Sequence, residues 1–207
     1  MIKIALTKGR LEKSSVALFE KSGYDISEFL DKGRKLLVKI KNADLEIVLA
    51  KATDVATYVE HGVCDVGILG KDTIMECGKS FYEVLDLNFG KCKFALAGLE
   101  GKNFYEGYSQ KVIATKYPNV AKRHFNEKGL DVEIVKIDGS VELAPILGLA
   151  DAIVDIVETG GTLKENGLVI IEEIAKISAR AIVNKAGIKL KKNEIDEFVG
   201  RIRKHIC

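Results

Sequence analysis

Tryptophan is missing from this 207-residue sequence, proline occurs twice, and cysteine occurs four times. The cysteines, Cys64, Cys77, Cys92 and Cys207, include no C-x-x-C pair, and no histidine stands at ligand spacing from them. That pattern argues against a structural zinc site. No apolar run is long enough to cross a bilayer as a helix. The run Ile4-Ala5-Leu6 meets Lys8 and Arg10 at once, which is too short for the apolar part of a signal peptide. Together these absences predict a cytoplasmic location and free thiols. A charge excess is missing too: 32 basic residues against 30 acidic ones leave a formal net charge of +2. Nucleic-acid binders gather a basic excess on one face or segment. Here the signs are mixed along the chain, so no nucleic-acid or membrane partner is expected and any anion site must be local. His61, His124 and His205 have no triad partners, and His61 and His124 read as helix-surface residues.

What is present is ample material for a core, 47% hydrophobic residues with 19 glycines as punctuation. Short apolar strands alternate with amphipathic helices. Ile2 to Leu6 reads as a strand and Leu11 to Ser22 as a helix, with Leu11, Val16, Leu18 and Phe19 as core candidates and Gly23 as the stop. Leu36 to Ile40 and Leu45 to Ala50 read as a hairpin around Lys41-Asn42-Ala43-Asp44. Thr53 to His61 reads as a helix capped by Thr53 or Asp54. Further strands are expected at 65–69, 83–87 and 91–97, then a polar, Gly-rich loop from Gly98 to Gln110. A second series follows: strands at 111–115, 132–137 and 151–157, a helix from Pro118 to Glu127, a short helix near Glu142, and a helix from about Gly161. Strands at 169–177 and 179–183, read as a pair, and a final helix at 192–205 close the chain. The alternation predicts an α/β protein with mixed, mainly parallel sheets.

The segment richest in chemistry is Asp151-Ala-Ile-Val-Asp155-Ile-Val157-Glu158-Thr159-Gly160-Gly161-Thr162-Leu163. An apolar strand runs straight into Thr-Gly-Gly-Thr, and a helix-compatible segment follows. Gly160 and Gly161 can take positive φ and bring backbone N–H groups close to a ligand. A helix start adds donors that lack intrahelical acceptors, and Thr159 and Thr162 add hydroxyls. Asp155 and Glu158 at the strand end suit ribose hydroxyls or a hydrated Mg²⁺ rather than a phosphate. A bare T-G-G-T is equally an ordinary strand–turn–helix connection; the acids in front of it make the run more specific.

The whole run resembles the phosphoribosyl pyrophosphate (PRPP) loop of phosphoribosyltransferases, in which an acidic pair precedes T-G-x-T. Val154 stands where the type I enzymes have a second adjacent acid. The wider context, Asp138-Gly-Ser-Val-Glu142-Leu-Ala-Pro145 through Thr162-Leu, is similar to the signature of the ATP phosphoribosyltransferase family. The similarity recurs in Leu6-Thr-Lys8-Gly9-Arg10-Leu11, Gly33-Arg34-Lys35-Leu36, Ala52-Thr-Asp54-Val55, Asp65-Val-Gly67-Ile-Leu-Gly70-Lys-Asp72 and Ala114-Thr-Lys-Tyr-Pro118-Asn. These blocks span most of the chain in one order.

That resemblance implies a two-lobed fold of the type II periplasmic-binding-protein kind with the active site in the cleft between lobes. It implies one lobe from residues 1–90 plus 178–207, on the ATP and pyrophosphate side, and a second from 91–177 carrying the PRPP loop. Asp155, Val157, Glu158, Thr159, Gly160, Gly161 and Thr162 would bind PRPP, while Lys8, Arg34 and Lys51 would act on triphosphate or pyrophosphate oxygens. Arg10, Asp72 and Glu142 are further ligand-binding candidates. Lys51 departs from the family's usual Arg, keeping the charge but losing the bidentate fork. Mg²⁺ would arrive with PRPP and pyrophosphate, without direct protein ligands. The implied reaction joins adenine N1 of ATP to the ribose of PRPP, the first step of histidine biosynthesis. The length resembles the short form of the family, whose partner is a histidyl-tRNA-synthetase-like regulatory subunit in a hetero-octamer, and a homodimer of catalytic chains is expected. Two alternatives share much of this pattern: a two-lobed anion receptor without catalysis, and a phosphoribosyltransferase for a different base.

Overall fold

A computed structural model describes residues 1–78, 80–107 and 109–206; Cys207, one of the four thiols above, lies outside them. The chain divides into two compact units, Met1–Gly90 with Ser178–Cys207, and Lys91–Ile177. The first unit opens with β1 (Ile2–Thr7), α1 (Arg10–Lys21), α2 (Ser27–Leu30), β2 (Leu37–Ile40), β3 (Leu45–Ala50), α3 (Ala52–Glu60), β4 (Val66–Gly70), α4 (Lys71–Cys77) and β5 (Tyr82–Asp86). The second unit comprises β6 (Cys92–Leu99), β7 (Lys111–Thr115), α5 (Pro118–Glu127), β8 (Val132–Lys136), α6 (Leu143–Ile146), β9 (Ala152–Val157), α7 (Gly161–Glu165) and β10 (Leu168–Ile177). The chain then returns to the first unit as β11 (Ala179–Val183), α8 (Gly187–Leu190) and α9 (Lys192–Arg203).

Each unit is built on one mixed sheet, in the orders β2-β3-β1-β4-β11-β5 and β10-β6-β9-β7-β8. Both sheets centre on three parallel strands, β3-β1-β4 and β9-β7-β8, with antiparallel strands beside them. Four of the nine described pairings are parallel and five antiparallel, so the parallel share is smaller than the βα alternation suggests. One reason lies in β10 and β11. They read as a pair in sequence, yet β10 joins β6 in the second sheet and β11 joins β4 and β5 in the first.

In the first unit the sheet is covered on both faces, as parallel strands require. Ile4 and Leu6 of β1 share a core with Val16 and Phe19 of α1 and Phe198 and Ile202 of α9. Ala5, between them, faces Val55, Ala56 and Val59 of α3. Phe19 meets Phe198 edge-on at 5.7 Å. Arg201 lies over the Tyr24 ring and donates to the carbonyls of Ser22 and Gly23 at 2.6 and 3.0 Å, closing the end of α1. Gly23 takes φ +78° as the expected stop. Leu11, a core candidate, is only half-buried, whereas Ser15 is fully buried and returns its hydroxyl to the Leu11 carbonyl at 2.7 Å.

Other expectations need correction. Neither Thr53 nor Asp54 caps α3; Lys51 is its N-cap residue, and the Lys51 carbonyl accepts from the amides of Asp54 and Val55 at 3.0 and 2.9 Å. The single-turn helices α2 and α8 have too little periodicity to be read. Gly98 belongs to β6, so the loop begins after Leu99. His124 is not a surface residue: its side chain is 10% exposed and sits near Glu172, which also pairs with Lys128 and accepts from Tyr105 Oη at 2.8 Å. Cys64 is buried, and burial pushes its thiol up to about 11.

Gly67 marks where β4 and α3 approach most closely. A Cβ there would stand 2.7 Å from Val59 Cγ2 and 3.0 Å from both Ile182 Cγ1 and Val55 Cγ1. Gly67→Ala is therefore expected to destabilise the protein by about 1–3 kcal/mol through overpacking, measured as a lower urea midpoint with an unchanged slope.

Candidate active site

Ligands of open α/β sheets gather beyond the C-terminal ends of the parallel strands. In the second unit those ends belong to β7, β8 and β9, and their loops are residues 116–117, 137–142 and 158–160. The last is the Thr-Gly-Gly-Thr turn. Gly160 takes φ +81°, the left-handed region, and is the N-cap of α7, whereas Gly161 does not need positive φ. Thr159 Oγ1 accepts from the Gly161 amide at 3.4 Å, a long bond that leaves the amide open to a better acceptor. Glu158, Thr159, Gly161 and Thr162 are exposed. A cavity of about 240 Å³ is lined by these residues together with Glu142, Asp155 and Val157.

The strand's two-residue period sets which side chains border this cavity. Ile153 and Val157 of β9 enter the core that also contains Val141, Ala144 and Leu163. Asp155 lies between them and so points to the same face. Its partner across the sheet is Ala95 of β6, whose small side chain leaves room beside the carboxylate. Val157 itself is buried, so its side chain supports the turn while its backbone borders the cavity. Glu142 stands at the N-cap position of α6 without a capping bond from its side chain, and lines the same space. Burial holds the Asp155 carboxyl above its ordinary range. The amide of Ile156 works against that rise, the charge of Glu142 adds to it, and Lys116 opposes it.

The first unit repeats the arrangement with opposite charge. Its parallel strands end at Thr7, Ala50 and Gly70. Thr7 pairs with Ala50, so Lys8 and Lys51 leave the sheet side by side, and the Lys8 amide donates to the Ala50 carbonyl at 2.9 Å. Arg34 reaches this rim by another route. The Leu49 amide donates to the Leu36 carbonyl at 2.8 Å, which fixes the turn before β2 against the end of β3. Lys8, Arg34 and Lys51 are exposed and make no ion pair among the described residues. Arg10 starts α1 at the same rim. Asp72 lies in the first turn of α4, folded so closely over Gly70 that a Cβ there would meet its Oδ1 at 2.0 Å.

A family model described as HisG, ATP phosphoribosyltransferase, matches residues 51–204. The chain belongs to the ATP phosphoribosyltransferase family. An ATP phosphoribosyltransferase of Clostridium kluyveri is 63% identical over 205 residues, covering 99% of this chain and 94% of that protein. One from Clostridium acetobutylicum is 60% identical over 205 residues, with coverage of 99% and 95%. Among solved structures, the ATP phosphoribosyl transferase (HisG:HisZ) complex from Thermotoga maritima matches with TM-score 0.83 and 36% identity, over 100% of this chain and 98% of that one. The periplasmic aliphatic sulphonate binding protein SsuA from Escherichia coli matches with TM-score 0.61 at 11% identity, over 98% of this chain and 71% of that one, which is a likeness of fold alone. The chain thus has the α/β fold expected from its sequence and the activity of its family, the pentosyl transfer that begins histidine biosynthesis.

The structure gathers the candidate ATP phosphoribosyltransferase residues into one group per unit. Asp155, Glu158, Thr159, Gly160, Gly161, Thr162 and Glu142 share a cavity in the second. Lys8, Arg10, Arg34, Lys51 and Asp72 stand along the rim of the first. Lys116 went unread: it is exposed after β7 and its charge reaches Asp155. The signal was its place directly after a strand, within the Ala114-Thr-Lys-Tyr-Pro118 block.

The raised Asp155 pKa gives a stability prediction. The contribution of this group is fully present below the ordinary carboxylate pKa and is lost as pH rises through the raised value. Asp155→Asn is accordingly expected to melt at a higher temperature than the parent at neutral pH, with the gap closing in acid, while PRPP affinity falls. Thermal scans across pH check this; a lower melting temperature at neutral pH would overturn it.

Proposed function

We propose that the second unit's turn, Glu158 to Thr162, holds the 5-phosphate of PRPP. Val157 and Gly160 shape the turn, and Asp155 accepts from the ribose hydroxyls. The observation that carries this reading is the left-handed Gly160 turn opening α7 directly beside the half-buried Asp155 and Glu142. Phosphate needs donors, and the first amides of α7 together with the Thr159 and Thr162 hydroxyls are donors. A ribose needs acceptors, and ionised carboxylates only accept.

Adenine N1 of ATP attacks C1 of the PRPP ribose while the C1–O bond to pyrophosphate breaks. N1 is already a nucleophile, so positioning and charge neutralisation carry the rate. Lys8, Arg34 and Lys51 meet the pyrophosphate or triphosphate oxygens, and Arg10 and Asp72 bind ligand beside them. That Lys8, Arg34 and Lys51 make no ion pair among the described residues supports this role, because a paired cation would have to be released first. At position 51 a lysine acts as a point charge.

The described residues contain no group of three or more His, Cys, Asp or Glu side chains that could hold a metal ion. The half-buried Asp155 and Glu142 would face the water shell of a Mg²⁺ carried in on substrate phosphates, with no direct protein ligand. Bound with PRPP, Mg²⁺ would supply charge neutralisation for the leaving pyrophosphate.

We further infer the short form of the family, working in the cytoplasm as a catalytic homodimer with a histidyl-tRNA-synthetase-like regulatory subunit in a hetero-octamer. The match in length to the clostridial relatives and to a chain of the Thermotoga maritima complex supports it. No helix among the described residues is long and apolar enough to cross a membrane. The receptor alternative does not account for the family match, nor the different-base alternative for the named relatives.

Purified chain with ATP, PRPP and Mg²⁺ is expected to yield phosphoribosyl-ATP by mass, dependent on PRPP. Thr162→Ala should weaken PRPP binding by roughly ten- to a hundredfold, the loss of a hydrogen bond to a charged group, in a calorimetric titration. Unchanged affinity would remove Thr162 from the site. Histidine should inhibit the isolated chain weakly or not at all; tight inhibition of the pure chain in a rate assay would contradict the short-form reading.

A further inference from the structure

Two of the cation-bearing turns in the first unit are joined by a single carboxylate. Glu12 lies in the first turn of α1, where a negative charge is favoured. Its Oε2 accepts from the Gly9 amide at 3.2 Å, inside the Lys8-Gly9-Arg10 turn. Its Oε1 pairs with Lys32 Nζ at 3.1 Å. Lys32 begins the turn that holds Arg34, which is closed by the Lys35 amide on the Lys32 carbonyl at 3.0 Å, with Gly33 at φ +56°. Lys32 also lies 4.4 Å from the ring of the buried Phe29. The Glu12 and Lys32 side chains are 19% and 23% exposed, so the pair is partly shielded from water.

This geometry has a chemical consequence. Two short loops of one sign repel each other, and their long side chains lose entropy when fixed. A carboxylate held between the loops, anchored to an amide of one and an ammonium of the other, sets their spacing without neutralising Lys8 or Arg34, which it does not contact. We infer that Glu12 is a positioning residue: it holds the Lys8–Arg10 and Lys32–Lys35 turns in register so that Lys8 and Arg34 present their charges together to pyrophosphate. The inference rests on the pyrophosphate role proposed above for this rim.

The test is steady-state kinetics in the reverse direction, phosphoribosyl-ATP plus pyrophosphate, on Glu12→Ala, Lys32→Met, Arg34→Ala and the Glu12→Ala/Arg34→Ala double variant. Lys32→Met cuts the link from the other side, should Glu12→Ala fail to fold, and circular dichroism confirms the fold of each. Glu12→Ala and Lys32→Met are each expected to raise the pyrophosphate KM about tenfold, as misplacement of a charge does. The KM of phosphoribosyl-ATP should stay within about twofold, a split that general loss of structure would not produce. The double variant should fall short of the product of the two single effects, because part of the Glu12 effect passes through Arg34 and the remainder through Lys8. If Arg34→Ala raises the pyrophosphate KM while Glu12→Ala and Lys32→Met do not, or if the two effects multiply in the double variant, the positioning role is overturned and the pyrophosphate role stands. If Arg34→Ala also leaves that KM unchanged, the pyrophosphate role itself fails.

Discussion

A parallel strand covered on both faces can offer polar groups to a ligand only at its ends, and the rest of this protein follows from that constraint. In the first unit, helices α1 and α9 seal one face and α3 the other, so β1, β3 and β4 are left with their C-terminal turns. In the second, β7, β8 and β9 end in three turns around the Thr-Gly-Gly-Thr segment. Alternation then decides which side chain of a strand can serve. Asp155 borders the cavity because Ile153 and Val157 are committed to the same face as core.

Each rim gathers charges of one predominant sign, carboxylates around Asp155 in the second unit and cations around Lys8 in the first. Asp155 and Glu142 share a half-buried space, which keeps the Asp155 carboxyl harder to ionise than in water. Lys8, Arg34 and Lys51 make no ion pair among the described residues. Sites that hold like charges together spend stability on function, and structural ion pairs elsewhere in the chain show the contrast. Arg180 pairs with Glu83 and Asp86, and Asp65 with Lys191, both within the first unit.

Much of this was legible in the residues. Gly23 ends a helix where a left-handed residue was needed, and the hairpin of β2 and β3 follows from its turn. The Thr-Gly-Gly-Thr run after an apolar strand announced a strand–turn–helix junction, which β9, Gly160 and α7 form. The misreadings share one cause, which is tertiary contact. His124 looks like a helix-surface residue until the polar group around Glu172 packs over it, and β10 and β11 look like neighbours until each joins a different sheet. Lys116 is marked only by its place directly after a strand, and nothing local to Glu12 reveals its ion pair with Lys32.

The sequence by itself determined the element types, the turn that needs glycine and the polar character of the Thr-Gly-Gly-Thr segment, because these depend on periodicity and φ preference over a few residues. Only the tertiary structure decided that Lys8, Arg34 and Lys51 share a rim, that Glu142 faces Asp155, and that Glu12 ties two turns together. Those relations join residues far apart in the chain, through strand pairing and side-chain reach that no local pattern encodes.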